Sequence, residues 1–174
     1  MSRRIDWALL REEMRVELDH LLNWWSDHMV DHLNGGFYGR MDHDGQLHPK
    51  ADKAIIMHSR ILWTFAAAAN LTGSTDYRSM ADYVYTFLNN HFFDPIYGGV
   101  YWMLDYEGRV VNDRKQIYAQ AFTIYALAEY YQLTKKAEVL AQALQLFDVV
   151  EKHSYDGTHN GYFEAFGRKW EPIT

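Results

Sequence analysis

Apolar residues recur along the chain in two different helical patterns. Residues 5–31, 75–91 and 136–152 each carry one apolar stripe at spacings of three and four, with polar residues between. Such a stripe is typical of a helix with one buried face. Residues 53–71 and 115–134 are apolar almost all round, which indicates helices buried on every side. The pattern therefore predicts five helices, alternately half-exposed and buried.

A glycine-aromatic segment precedes each buried helix. In the first copy, residues 34–45, a double glycine is followed by aromatic residues and by Asp44-Gly45, which predicts a β-hairpin. The segment recurs at 97–108 and, in shorter form, at 160–166. Because every hairpin leads into a buried helix, we expect the hairpins to gather at one rim, where loops commonly carry a binding site.

The two buried helices are copies of each other at a shift of 62 residues, from Lys53 to Lys115. Five positions are identical, namely Lys53/Lys115, Ile55/Ile117, Ala66/Ala128, Leu71/Leu133 and Thr72/Thr134. The repeat units span about 5–73, 74–135 and 136–174, the last incomplete.

Alternating exposed and buried helices favour two concentric helical layers, as in an (α/α)6 barrel, over an open solenoid. A closed ring of six such pairs needs about 6 × 62 residues. We therefore expect an all-α fold in which residues 1–174 form a single partial domain, the N-terminal half of a barrel-type helical toroid with short hairpins at its rim.

The composition of the chain excludes several classes of binding partner and of chemistry. The net charge is -6 and no long basic run occurs, which argues against nucleic acid and anionic membranes. No segment has the apolar length of a membrane span or the apolar core of a signal peptide, so we expect a cytoplasmic protein. The chain has no Cys, which excludes disulfides and thiolate chemistry. Aromatic residues make up 16%, which suits either a core of large side chains or stacking on a carbohydrate.

Arg60 is the main candidate for chemistry, because a charge within an apolar helix needs a partner. That partner is either a bound ligand or a carboxylate such as Asp42 or Asp105. His58 lies on a different face of the same helix, which is more typical of a hydrogen-bonded core or rim histidine. Gln120 occupies the position of His58 in the next repeat.

Several aromatic residues are weaker candidates. Tyr118 lies one turn into the fourth helix, where packing and ligand contact are both open. Trp63, Trp102 and Tyr38 could stack on a sugar, although aromatic residues of inner helices more often form the core.

No metal site is predicted. His28 and His32 have the helical spacing of a metal pair, but they lie on an amphipathic helix beside Asp27 and Asp31, which favours a solvated polar face. Asp42 and Asp44 resemble only a fragment of a calcium loop and are better explained by a hairpin turn.

Three segments together resemble the N-acylglucosamine 2-epimerase family. They are residues 34–39 (Asn-Gly-Gly-Phe-Tyr-Gly), 60–65 (Arg-Ile-Leu-Trp-Thr-Phe) and 115–127 (Lys-Gln-Ile-Tyr-Ala-Gln-Ala-Phe-Thr-Ile-Tyr-Ala-Leu). Residues 161–166 (Gly-Tyr-Phe-Glu-Ala-Phe) and the following Arg168-Lys169-Trp170 are similar to its cellobiose 2-epimerase branch in particular.

The resemblance implies a cofactor-independent (α/α)6 barrel that binds a small saccharide and epimerises or isomerises it at C2. For the cellobiose branch, glucose and mannose interconvert at the reducing end of a β-1,4 disaccharide. One His takes the C2 proton, an enediolate forms, and a second His returns a proton from the other face. Arg60 matches the family arginine that contacts sugar oxygens, and Tyr118 matches a tyrosine of the same pocket.

The family's acid/base histidines match no residue of this chain and are expected beyond Thr174. The resemblance thus implies a fragment that is inactive alone and holds no catalytic residue. Two alternatives remain open. One is a glycoside hydrolase that uses carboxylates from Asp42, Asp105 and Glu164. The other is a non-catalytic, sugar-binding half barrel that associates through its open edge.

Overall fold

The computed structural model describes residues 5–173. These residues contain the five expected helices, which are α1 (Trp7–His28), α2 (Ile55–Thr72), α3 (Thr75–His91), α4 (Ile117–Thr134) and α5 (Ala137–Ser154). The chain divides into two compact units, one ending at Val30 and the other beginning at Asp31. None of the described helices is long and apolar enough to cross a membrane.

The first unit consists of α1. The Asp6 side chain caps it by accepting hydrogen bonds from the N–H groups of Ala8 and Leu9. Its predicted apolar stripe is only partly buried: Leu22 is buried, but the side chain of Met14 is 66% exposed.

The second unit has two helical layers. The inner helices α2 and α4 pack against each other, α3 packs on α2, and α5 packs on α4. The hydroxyls of Ser59 and Thr123 form a buried hydrogen bond of 3.0 Å between the two inner helices. The predicted alternation of inner and outer helices is confirmed, and no closed barrel forms within the described residues.

The prediction that inner helices are buried on every side is wrong for one face of each. Arg60 of α2 and Tyr118 and Tyr125 of α4 are exposed, because the outer helices cover only the opposite side of the inner layer. The spacing of apolar residues could not show this, because it is the same whether or not another part of the protein covers that face of the helix.

Seven short strands occur among the described residues. They are β1 (Lys53–Ala54), β2 (Met103–Leu104), β3 (Val110–Asn112), β4 (Lys115–Gln116), β5 (Tyr155–Asp156), β6 (Gly161–Tyr162) and β7 (Ala165–Phe166). The sequence placed β1 and β4 in the first turns of the inner helices, which is wrong. Each of these strands instead pairs with the hairpin of the next repeat, β1 with β2 and β4 with β7, both antiparallel. This pairing places the second and third hairpins at the N-terminal ends of α2 and α4.

The first hairpin forms as predicted. A bridge joins Met41 to Leu47, and Gly45 turns the chain with a φ of 78°. The double glycines that precede the first and second hairpins have less space around them than Gly45. A Cβ on Gly36 would lie 2.6 Å from the ring of Phe87, and one on Gly99 would lie 2.7 Å from the ring of Trp170. Both glycines also have a positive φ, so only glycine fits these two turns without strain.

A buried ion pair holds the first glycine turn. One oxygen of Asp31 accepts hydrogen bonds from the N–H groups of Leu33 and Asn34. The Lys53 ammonium donates to the other oxygen at 2.8 Å and to the carbonyl of Gly35 at 2.6 Å. Burial by itself would raise the pKa of the Asp31 carboxyl, but the hydrogen bonds from Lys53 and Asn34 outweigh burial and lower it.

The second glycine turn repeats this arrangement and adds a further cation. Asp94 accepts hydrogen bonds from the N–H groups of Ile96 and Tyr97 and from the Lys115 ammonium at 3.0 Å. Arg168, from the third repeat, donates to the same carboxylate at 3.0 Å. Burial opposes ionisation, yet these donors hold the pKa of Asp94 well below its usual range.

Candidate functional site

The uncovered side of the inner layer carries a cluster of large side chains. Tyr118, Phe122 and Tyr125 follow one another on α4 at helical spacing, and Arg60 and Trp63 lie one turn apart on α2. The side chains of Tyr118 and Tyr125 are 52% and 46% exposed. We call these five residues the open inner face.

The aromatic rings of the open inner face form one connected surface across both helices. Trp63 and Tyr125 stack with their centroids 5.0 Å apart and their planes 15° from parallel. Phe122 contacts Tyr118 edge to face at 4.8 Å and lies 6.3 Å from Tyr125. Exposed rings of this kind offer an apolar surface together with the phenol hydroxyls of tyrosine, which suits a ligand with both apolar C–H and hydroxyl groups.

Arg60 is an exposed cation on α2, one turn from Trp63. Among the residues that the structure describes, no carboxylate lies within ion-pair distance of its guanidinium. The two expected structural partners are engaged elsewhere: Asp42 pairs with Arg40 and His48, and Asp105 pairs with Arg109. The five N–H donors of Arg60 are thus available for oxygen atoms of a ligand.

His58 is buried and has a structural contact at each ring nitrogen. Its Nε2 accepts the N–H of Phe37 at 3.1 Å, and its Nδ1 lies 2.9 Å from the carbonyl of Ala54. These partners assign the proton to Nδ1 and make the imidazole neutral. Burial lowers the pKa of His58 to about 4, in agreement with that assignment.

Gln120 binds the equivalent backbone group in the second repeat. Its side-chain oxygen accepts the N–H of Val100 at 2.7 Å, and its amide donates to the carbonyl of Val100 at 2.9 Å. His58 and Gln120 therefore both hold the residue that follows a double glycine, and their polar atoms are directed at the hairpin backbone.

Two other candidates lie in the hairpin segments. Tyr38 is partly buried, and the ring of Trp102 lies 5.0 Å from the guanidinium of Arg114. Among the described residues, neither Tyr38 nor Trp102 makes a ring contact with the open inner face.

The expectation that His28 and His32 share one helix is wrong: α1 ends at His28, and His32 lies in the turn that follows. His28 donates from Nδ1 to the carbonyl of Trp24 at 2.9 Å, and its ring stacks on the ring of Trp24. Within residues 5–173, no group of three or more His, Asp or Glu side chains is arranged to hold a metal ion.

Sequence reasoning missed Phe122 and Tyr125. Their spacing from Tyr118, at four and seven residues, was available as a signal. On a helix that is expected to be covered on all sides, however, an aromatic stripe at this spacing indicates core.

The fold and the open inner face define a class of protein. It is an α/α-repeat protein whose inner helices carry aromatic rings and an unpaired guanidinium on one uncovered face.

The model of the family "N-acylglucosamine 2-epimerase (GlcNAc 2-epimerase)" matches residues 36–173, and the chain belongs to this family. It is 46% identical over 166 residues to a cellobiose 2-epimerase of Bacteroides fragilis, which covers 95% of this chain and 42% of the relative. A cellobiose 2-epimerase of Ruminococcus albus is 42% identical over the same shares of the two chains.

Solved structures confirm the barrel-type helical fold of the matched part. The crystal structure of a sugar epimerase from a ruminal bacterium superposes with a TM-score of 0.88 at 42% identity. The match covers 93% of this chain and 41% of that structure. The chain thus spans about two fifths of the length of the relatives it matches.

Proposed function

We propose that this chain forms part of the sugar-binding pocket of a carbohydrate epimerase that acts at C2 of a reducing-end aldose. The substrate we propose is cellobiose or a similar β-1,4 disaccharide, whose terminal glucose is converted to mannose. The observation that carries the proposal is Arg60, an unpaired cation one turn from Trp63, whose ring belongs to a continuous aromatic surface, in a chain of this family.

The reaction places a specific demand on the pocket. After the sugar ring opens, removal of the C2 proton leaves negative charge on the oxygens of an enediolate. Arg60 would hold these oxygens, because a planar guanidinium donates two parallel hydrogen bonds and remains charged. Tyr118 would contribute a phenol hydroxyl, and the stacked Trp63 and Tyr125 would contact the apolar face of the sugar.

Of the described residues, those of the inner helices α2 and α4 include one histidine, whereas the two proton transfers need a pair. His58 is the histidine of α2 and α4, and both its ring nitrogens are engaged with backbone groups. We therefore propose that residues 1–174 bind saccharide without epimerising it, and that the acid/base histidines belong to sequence that this chain does not contain.

Titration with cellobiose, followed by tryptophan fluorescence or calorimetry, tests the binding role of Arg60. We expect Arg60→Ala to weaken the affinity about tenfold or more, because charge-assisted hydrogen bonds are worth about 1.5–3 kcal/mol. Arg15→Ala removes another exposed arginine, from α1, and should leave the affinity unchanged. Equal affinities of Arg60→Ala and the wild type would contradict the proposal.

Incubation of cellobiose with the chain in D2O tests the proposal that residues 1–174 do not epimerise the saccharide. We expect no deuterium at C2 and no mannose epimer. Deuterium incorporation that depends on the purified chain would show that a proton-transfer pair is present after all.

The glycoside hydrolase alternative gains no support from the geometry. The carboxylates of Asp42 and Asp105 are occupied within their hairpin turns, by Arg40 and His48 and by the N–H groups of Glu107 and Arg109. The carboxylate of Glu164 accepts the N–H of Tyr118 at the N-terminus of α4. A hydrolase needs two carboxyl groups that face each other across a substrate, and these three instead stabilise turns and a helix terminus.

A further inference from the structure

The N-terminus of α4 is capped by a residue from the third hairpin. The N–H of Ile117 donates to the backbone carbonyl of Glu164 at 2.9 Å. The N–H of Tyr118 donates to the Glu164 side-chain oxygen Oε1 at 3.3 Å. The local N-cap residue, Gln116, makes no capping hydrogen bond through its side chain. Glu164 therefore satisfies two of the N–H groups that a helix start leaves unpaired.

The first repeat shows which part of this cap belongs to the fold. There, the N–H of Ile55 donates to the backbone carbonyl of Trp102 at 3.3 Å, and Trp102 precedes Glu164 by the repeat period. An indole has no acceptor group, so the Trp102 side chain cannot cap the next N–H of α2. The backbone cap is thus common to both inner helices, whereas the carboxylate cap is added only at α4.

The strand pairing of the third hairpin delivers this carboxylate. Gln116 of β4 pairs with Ala165 of β7, which places the preceding residue, Glu164, directly beside the first turn of α4. A negative charge at this position also interacts favourably with the helix dipole.

Tyr118 is the residue whose N–H receives the carboxylate. Its ring is half-exposed and, among residues 5–173, contacts one other ring, that of Phe122 at 4.8 Å, so packing alone constrains it weakly. Fixing the N–H fixes the first helical turn and, with it, the direction of the Cα–Cβ bond that carries the phenol onto the open inner face.

We propose that Glu164 is a positioning residue that holds Tyr118 in place for the saccharide. This inference rests on the proposed function, because it assigns Tyr118 to the ligand. The third hairpin then has a role as well, because strand β7 and the Glu164 carboxylate hold the part of the open inner face that contains Tyr118.

Three variants test the proposal: Glu164→Ala, Glu164→Gln and the control Asp148→Ala, which removes an exposed carboxylate from α5. Amide hydrogen exchange of Tyr118 is followed by NMR, with amides of α3 as the reference for global stability. We expect Glu164→Ala to speed exchange of the Tyr118 amide about tenfold without affecting α3, because only the local cap is lost. Glu164→Gln should retain the protection, since its amide oxygen can accept the same N–H. Asp148→Ala should behave as the wild type.

Cellobiose affinity is measured on the same variants. We expect Glu164→Ala to weaken binding about threefold to tenfold and Glu164→Gln to restore most of the loss. Unchanged exchange at Tyr118 in Glu164→Ala would overturn the proposal, as would faster exchange with undiminished affinity. Absence of binding by the wild type would instead count against the proposed function, while the exchange data would still decide whether Glu164 holds Tyr118.

Discussion

At the scale of single residues, the repeat explains the buried histidine. His58 and Gln120 occupy equivalent positions and accept the N–H that follows a double glycine. What the position requires is a hydrogen-bond acceptor on a side chain of suitable length, and a charge is not needed. His58 therefore adds a titratable group to a place where the second repeat has none.

We predict that His58→Gln makes the protein less sensitive to acid. The pKa of His58 is about 4 in the folded chain, against 6.5 for an unperturbed histidine, because burial disfavours the charged form. Between these values the unfolded chain binds a proton that the folded chain does not, so stability falls as the pH drops from 6.5 towards 4. We expect the wild type to lose about 2 kcal/mol more than His58→Gln between pH 7 and pH 4.5.

Urea unfolding at the two pH values measures this difference. Other titrating groups cancel because only the difference between the two proteins is used. His43→Gln removes a highly exposed histidine from the first hairpin and serves as the control. The same pH dependence in His58→Gln and the wild type would rule out His58 as the acid-sensitive group.

The burial of two lysines could not be predicted from the sequence. Lys53 and Lys115 precede apolar helices, so we expect them to begin those helices. Each is instead fully buried against an aspartate of the preceding turn, 2.8 and 3.0 Å away. The aspartates lie more than twenty residues earlier in the chain, and no local pattern links them to the lysines.

At the scale of elements, strand pairing connects the repeats. The strand before each inner helix pairs with the following hairpin, so the hairpins are shared between neighbouring repeats. Asp94 reinforces this connection, because it receives Lys115 from the start of α4 and Arg168 from the third hairpin. The cations of two successive segments thus meet at one buried carboxylate.

We predict that Asp94→Asn destabilises the protein by about 3–5 kcal/mol, because it leaves the buried Lys115 ammonium without its counter-charge. Thermal or urea unfolding at pH 7 measures the loss. Asp42→Asn breaks contacts with Arg40 and His48 on the partly exposed first hairpin and should have a much smaller effect. Equal losses in the two variants would mean that burial of the Asp94 network has little influence on stability.

At the scale of the whole molecule, uncovered apolar surface remains. On α5, Leu140, Leu144 and Phe147 form an exposed stripe opposite the buried residues of that helix, and Leu144 is 54% exposed. The positions 62 residues earlier are Arg78, Asp82 and Tyr85. All three contact the next helices, through Leu133, Tyr130 and Gln142. The repeat therefore places the α5 stripe where helix packing occurs elsewhere in the molecule.

We predict that the 174-residue chain self-associates through such surfaces, as the sequence already indicated for its open edge. Sedimentation velocity over a range of concentrations measures this. Leu144→Glu should shift the distribution towards monomer, whereas Gln145→Glu, which places the same charge on the neighbouring exposed residue, should not. A wild-type chain that stays monomeric at all concentrations would contradict this prediction.

The sequence by itself determined the helices, their alternation in two layers, the glycine turns and the family. These follow from local rules: the apolar period of a helix, the φ that glycine alone tolerates, and a repeat that can be counted. Arg60 and Tyr118 could also be named in advance, the first as a charge in an apolar helix and both through the family resemblance.

The tertiary structure alone decided which side of the inner helices is uncovered, and so brought Phe122 and Tyr125 beside Tyr118 and Trp63. It also decided that His58, Gln120 and the two lysines hold the turns, and that Glu164 caps α4 from 46 residues away. These outcomes depend on which segments meet in space. A sequence pattern records that a residue is apolar or polar, but the neighbour that covers or contacts it comes from a different part of the chain.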